Sequence, residues 1–162
     1  MTTMVSPEII EGQLLDHEHQ ALRAGISNLQ EAIARAHSMS RADAIDRVVR
    51  TLAWLRRDVL PHAAWEEAWL YPHLDTAAGT PWATQALRYQ HEQIREVAAA
   101  LEREFATAEV RWSAEEAYGL AIALTRLETL LSAHLAQEQW FVGPLLELTA
   151  QPDARLRTGG QS

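Results

Sequence analysis

Four histidines and two glutamates recur at one offset along this chain. His19 and His91, His62 and His134, and Glu66 and Glu138 are each separated by 72 residues. The same offset pairs Arg23 with Arg95, Leu22 with Ile94, Leu52 with Leu124, Leu55 with Leu127 and Pro72 with Pro144. Each half of the chain thus carries an isolated histidine, an arginine four residues later, and then a His-x-x-x-Glu pair. Histidine accounts for only seven of 162 residues, so a recurrence of this kind is hard to assign to chance. A histidine and a glutamate four apart share one helical face and can reach the same ion. In an apolar interior a carboxylate is costly unless it is paired or bound to a cation.

The donor set narrows the chemistry. Two histidines for each of two metals, with Glu66 and Glu138 bridging, leave coordination positions open for a small ligand, the mark of a reactive rather than a structural site. Imidazole suits iron, zinc, copper or nickel, and carboxylate favours iron or manganese. A mixed nitrogen and oxygen set without sulfur points first to two iron ions, with manganese or zinc as alternatives. Cysteine is absent, which excludes disulfides, zinc–thiolate sites and thiolate-held iron–sulfur clusters.

The elements that must position these residues can be read from capping chemistry and apolar spacing. Ser6 before Pro7 and Thr80 before Pro81 are N-caps followed by proline. Ser40 with Asp43 and Ser113 with Glu116 approach capping boxes. The spacing predicts helices over 7–37, 41–74, 81–107 and 114–148. Steps of three and four put Leu22, Ile26, Leu29 and Ile33 on the face of His19, and Leu120, Leu124, Leu127 and Leu131 on the face of His134 and Glu138. Short connections make neighbouring helices antiparallel. The expected fold is all-α: an up-down-up-down four-helix bundle built from two repeated helix hairpins. Counting residues from each turn brings all six donors to one level, within about one helical turn. Pro61 should kink the second helix just before His62. The bundle is expected to occupy residues 1–150, with 151–162 a disordered tail.

The ordered run of single His, His-x-x-x-Glu, single His, His-x-x-x-Glu resembles the hemerythrin-like family, also called HHE cation-binding domains. The matching stretches are Glu18 to Arg23, His62 to Glu67 through Tyr71-Pro72, Gln90 to Arg95, and His134 to Glu138 through Gly143-Pro144, and the resemblance covers about residues 8–148. It implies an Fe–O–Fe centre that meets dioxygen, peroxide or nitric oxide. Oxygen-carrying members have a second histidine four residues after the first on the third helix, where this chain has Arg95. Their fourth helix has a His-x-x-x-x-Asp spacing in place of His134 and Glu138. The missing fifth histidine argues against reversible oxygen carriage and for redox chemistry at a more open site. The expected function is therefore a non-heme di-iron protein that reacts with or senses such a ligand. The alternative is a non-catalytic carrier or store of oxygen or metal, so enzyme activity stays undecided between the two.

Other residues lie near the six in the sequence pattern. His17 lies about 200° around the helix from His19 and is the weaker candidate. His73 reads as a half-exposed helix-end histidine more readily than as an extra ligand or proton relay. Arg23 and Arg95 could hold the bridging carboxylates, steer an anion, or snorkel at the bundle edge. Trp65 and Trp69 are expected to line the pocket beside Glu66, and no tyrosine is obviously aimed at the site. The net charge of −8 and scattered basic residues exclude a nucleic-acid surface. The N-terminal residues show no basic stretch followed by an apolar run, and no stretch approaches a membrane span. A cytoplasmic protein, monomeric or weakly self-associating, is the expectation.

Overall fold

Side-chain caps fix two of the helix starts. Ser40 accepts from the Asp43 backbone N–H at 3.2 Å, and its hydroxyl meets the Asp43 carboxylate at 2.7 Å. Ser113 accepts from the Glu115 N–H at 3.1 Å, while the Glu116 carboxylate accepts from the Ser113 N–H at 2.9 Å. Each exchange satisfies N–H groups that the first turn leaves without partners. The computed structural model describes residues 7–106 and 112–150, without the side chains of 7–18, 143 and 145–150. The expectations for Ser6, His17 and the tail over 151–162 fall outside what is described.

All elements among the described residues are helical. Helix α1 spans Pro7–Arg35 and ends in a 3-10 turn over Ala36–Ser38. A long second helical stretch contains α2 (Arg41–Trp54), α3 (Leu60–Trp65) and α4 (Tyr71–Ala78). Helices α5 (Gln85–Phe105) and α6 (Ala114–Ala150) follow. Helix α1 packs on α6, α6 on α5, and α5 on α2, so the four helical stretches enclose a common interior.

The second stretch is joined by two π-helical turns, Leu55–Val59 and Glu66–Leu70. Each ends two residues before a proline, Pro61 and Pro72. A proline lacks an N–H, and its ring collides with the carbonyl four residues back. An inserted residue widens the turn and relieves that collision, so the distortion expected from Pro61 takes the form of a π turn. The stretch closes at Gly79, which adopts φ +70°. There the Gly79 N–H bonds the Thr76 carbonyl at 3.1 Å and the Thr80 N–H bonds the Asp75 carbonyl at 3.0 Å, a glycine stop.

One helix start departs from expectation. Residues 81–84 form turns, and α5 begins at Gln85 rather than at Pro81. The cause is Asp75, whose carboxylate accepts from the Thr84 N–H at 2.9 Å and from its hydroxyl at 3.1 Å, holding the chain away from helical geometry until Thr84.

The interior has two hydrocarbon regions. The larger includes Leu29, Leu55, Leu101, Leu120, Leu124 and Leu127, all essentially inaccessible. The smaller gathers Leu70, Tyr71, Leu74, Leu87 and Val142, with Trp65 against it. Burial of each large apolar side chain contributes about 1.5–3 kcal/mol. Between the two regions lies a layer of histidine and glutamate.

Candidate metal centre

Each of the four helical stretches sends donors into this layer: α1 gives His19, α3 with the π turn after it gives His62 and Glu66, α5 gives His91, and α6 gives His134 and Glu138. All six are buried, Glu66 completely, and the most accessible, His19, is only 8% exposed. The six residues singled out by the repeat thus converge in space.

They form two groups of four. One is His19, His62, Glu66 and Glu138; the other is Glu66, His91, His134 and Glu138. Within each group one donor atom per residue lies within 4.8 Å of all the others. Both glutamates belong to both groups. The Nε2 atoms of His62 and His91 lie 3.1 and 3.3 Å from opposite oxygens of Glu66. Those of His19 and His134 lie 3.1 and 3.3 Å from opposite oxygens of Glu138. His91 and His134 meet Nε2 to Nε2 at 3.1 Å.

The arrangement is poorly satisfied by hydrogen bonds alone. His19 Nε2, Glu66 Oε1 and Glu138 Oε2 are inaccessible and have no hydrogen-bond partner, although His19 Nε2 and Glu138 Oε2 are in close approach. Buried polar atoms without partners are uncommon and each costs about 1–3 kcal/mol. Lone pairs converging on a common point from nitrogen and carboxylate oxygen fit a cation. Burial pushes the Glu66 carboxyl up, but the close imidazoles of His134, His62 and His91 outweigh it and draw the group below the ordinary carboxylate range.

A tyrosine completes the cluster, contrary to the sequence expectation. Tyr71 is fully buried and donates its hydroxyl to Glu138 Oε1 at 2.9 Å and to Glu66 Oε2 at 3.3 Å. Its ring stacks on His91 with centroids 5.6 Å apart, and the Arg88 guanidinium lies 5.2 Å from its centroid. Burial, then the charges of Glu138 and Glu66, raise the hydroxyl above its ordinary value, so it remains a donor. Five residues after Glu66, a side chain on a regular α-helix points about 140° away. The π turn Glu66–Leu70 brings position i+5 back beneath i, and Tyr71 with it. The same turn leaves Trp69 64% exposed, so only Trp65 of the two expected tryptophans faces the interior.

Two further side chains support the histidines from outside. Glu67 Oε1 lies 2.8 Å from His91 Nδ1, and Gln90 Oε1 lies 3.1 Å from His134 Nδ1. Arg95 donates to Glu67 at 2.8 Å and so reaches neither Glu66 nor Glu138. Arg23 is exposed and lines a groove with Ser27, Gln30 and Gln139. His73 and His37 are exposed, and His73 Nδ1 contacts the Trp69 carbonyl. A cleft of about 290 Å³, lined by Leu22, Arg57, Asp58, Pro61 and Trp65, reaches His62 from the surface.

Residues 12–145 match the hemerythrin HHE cation binding domain. No curated protein and no solved structure gives a match. A match over this much of the chain, together with buried His and Glu groups suited to a cation, settles the relationship: the chain belongs to the hemerythrin HHE cation-binding domain family.

Proposed function

We propose that His19, His62, Glu66, His91, His134 and Glu138 hold two metal ions, iron first and manganese or zinc as alternatives, and that the centre reacts with or senses dioxygen, peroxide or nitric oxide. The observation that carries this reading is the pair of buried four-residue donor groups sharing both glutamates, in which His19 Nε2, Glu66 Oε1 and Glu138 Oε2 lack a hydrogen-bond partner. His19 and His62 would serve one ion and His91 and His134 the other, with Glu66 and Glu138 common to both. Bound iron would supply electrons and Lewis acidity. The protein's own part is to fix geometry. Tyr71 orients one oxygen of each glutamate, Glu67 and Gln90 orient two imidazoles, and the hydrocarbon on either side excludes bulk water. The cleft at His62 offers a small ligand a way in.

The up-down-up-down arrangement belongs to the same reading. It is supported by the contacts His19 with Glu138 and Gln30 with Glu128 between α1 and α6, and His91 with His134 and Gln93 with Arg126 between α5 and α6, whose numbers run in opposite senses.

The test is metal analysis with an optical spectrum on protein purified without added metal. Two iron ions per chain and visible absorption support the reading, and a colourless zinc protein refutes its redox part. A non-catalytic carrier or store is the second reading, favoured by how little of the cluster is accessible. Peroxide consumption by the native protein and by His62→Ala separates them, because equal rates count against turnover at this centre.

A further inference from the structure

The pair Glu67–Arg95 looks at first like an ordinary edge ion pair, of a kind that contributes little when exposed. Three observations set it apart. The Glu67 oxygen that accepts from Arg95 is the same Oε1 that faces His91 Nδ1, with both distances 2.8 Å. His91 itself is 1% exposed, and its Nε2 lies among Glu66, His134 and Tyr71 at 3.3, 3.1 and 3.5 Å. The Glu67 main chain is also tied, through its carbonyl, to Arg88 at 3.3 Å.

A carboxylate facing Nδ1 requires the proton on that nitrogen, which leaves the Nε2 lone pair directed into the cluster. A negative charge at that distance also strengthens the imidazole as a donor, and outer partners of this kind influence metal affinity about 10–100-fold. Arg95 keeps the carboxylate in place. Glu67 lies outside the repeat, since the residue 72 positions later is Gln139, which is exposed.

We propose that Glu67, anchored by Arg95, is a positioning residue: it fixes the tautomer and orientation of His91 and thereby sets the affinity of the ion held by Glu66, His91, His134 and Glu138. This rests on the metal-binding reading above. It also assigns a role to Arg95, which holds the holder of His91 and touches no bridging glutamate.

The experiment is stepwise titration of the apoprotein with Co(II), competed against a chelator and followed by the visible ligand-field bands. Native protein, Glu67→Ala and Glu67→Gln are compared. Native protein should take two ions. Glu67→Ala should release one of the two about 10–100-fold more readily and shift the bands of that ion alone, leaving the other within about twofold. Glu67→Gln, which keeps an acceptor oxygen and the side-chain shape but no charge, should recover part of the loss and secures the test if the alanine variant folds poorly. Native-like affinity for both ions in both variants overturns the proposal while the metal reading stands. Equal weakening of both ions overturns it as well, because that is general damage. Failure of the native protein to take up Co(II), Fe(II) or Zn(II) removes the metal reading and this inference with it.

Discussion

Replacing Tyr71 by phenylalanine keeps the ring against Leu70, Leu74, Leu87 and Val142 and removes only the hydroxyl. The hydroxyl donates to Glu138 at 2.9 Å and to Glu66 at 3.3 Å, and Glu138 is 2% exposed, so water does not replace the lost donor. A hydrogen bond to a charged acceptor contributes about 1.5–3 kcal/mol. Glu138 Oε1 keeps the His134 nitrogen at 3.3 Å, which places the loss in the lower half of that range. At about 2–4 °C per kcal/mol for a domain of this size, the apoprotein should lose about 3–9 °C in Tm. Loading with metal should narrow the gap. A cation bound by the carboxylates neutralises their charge and occupies their lone pairs, leaving the hydroxyl closer to a neutral hydrogen bond of about 0.5–1.5 kcal/mol. Thermal unfolding of both proteins, with chelator and with Fe(II) under argon, checks this. A difference under about 1 °C in the apoprotein would refute the view that Tyr71 stabilises the buried glutamates.

Three further outcomes are expected. A Cβ on Gly25 would overlap the Trp54 indole, so Gly25→Ala should destabilise the protein by about 1–3 kcal/mol through overpacking, read by chemical denaturation and a change in tryptophan fluorescence. Burial pushes the Glu67 carboxyl up, but Arg95 and His91 outweigh it and hold it below its ordinary value of 4.5. A group depressed on folding stabilises above its unfolded value and loses that contribution as pH falls. The stability gap between native apoprotein and Glu67→Gln should therefore be constant above about pH 5.5 and shrink below about pH 4.5; a gap independent of pH from 3 to 7 would count against this. Finally, metal removal should lower Tm, since an ion held about 1,000-fold below its free concentration in Kd adds about 4 kcal/mol. Scanning calorimetry before and after chelation measures it, and an unchanged Tm would contradict a cation at this layer.

What the sequence made legible was whatever depends on regular helical spacing. His19, His91 and His134 lie on faces that Leu22, Ile94 and Leu131 also occupy, and a period of 3.6 relates each pair without any knowledge of neighbours. The repeat then brought the six donors to one level. Features created by departures from regularity were hidden. Pro61 announced a disturbance but not its form, because a kink and a π turn answer the same steric problem, and the second π turn before Pro72 was not foreseen. Asp75 reaching across to Thr84 delays α5, and nothing in the local sequence announces it. Arg95 illustrates the remaining difficulty: its register was correct, but its partner Glu67 comes from another helical stretch, and only packing decides which acceptor a long guanidinium side chain finds.

The π turn at Glu66–Leu70 can be tested by deletion. If one inserted residue accounts for Tyr71 standing beneath Glu66, removal of an exposed residue from that turn should restore a regular helix and leave Tyr71 four residues after Glu66, on the same face. Trp69, 64% exposed, is the residue to delete. Deletion alone would force Pro72 into an unrelieved helix, at a cost of about 3 kcal/mol or more. The deletion should therefore be poorly stable with Pro72 present and recover most of that loss when combined with Pro72→Ala. In the combined variant the hydroxyl of Tyr71 still reaches both glutamates, so its metal content should equal that of the native protein. Metal lost from a well-folded combined variant would mean that the π turn shapes the donor layer itself, beyond accommodating a proline.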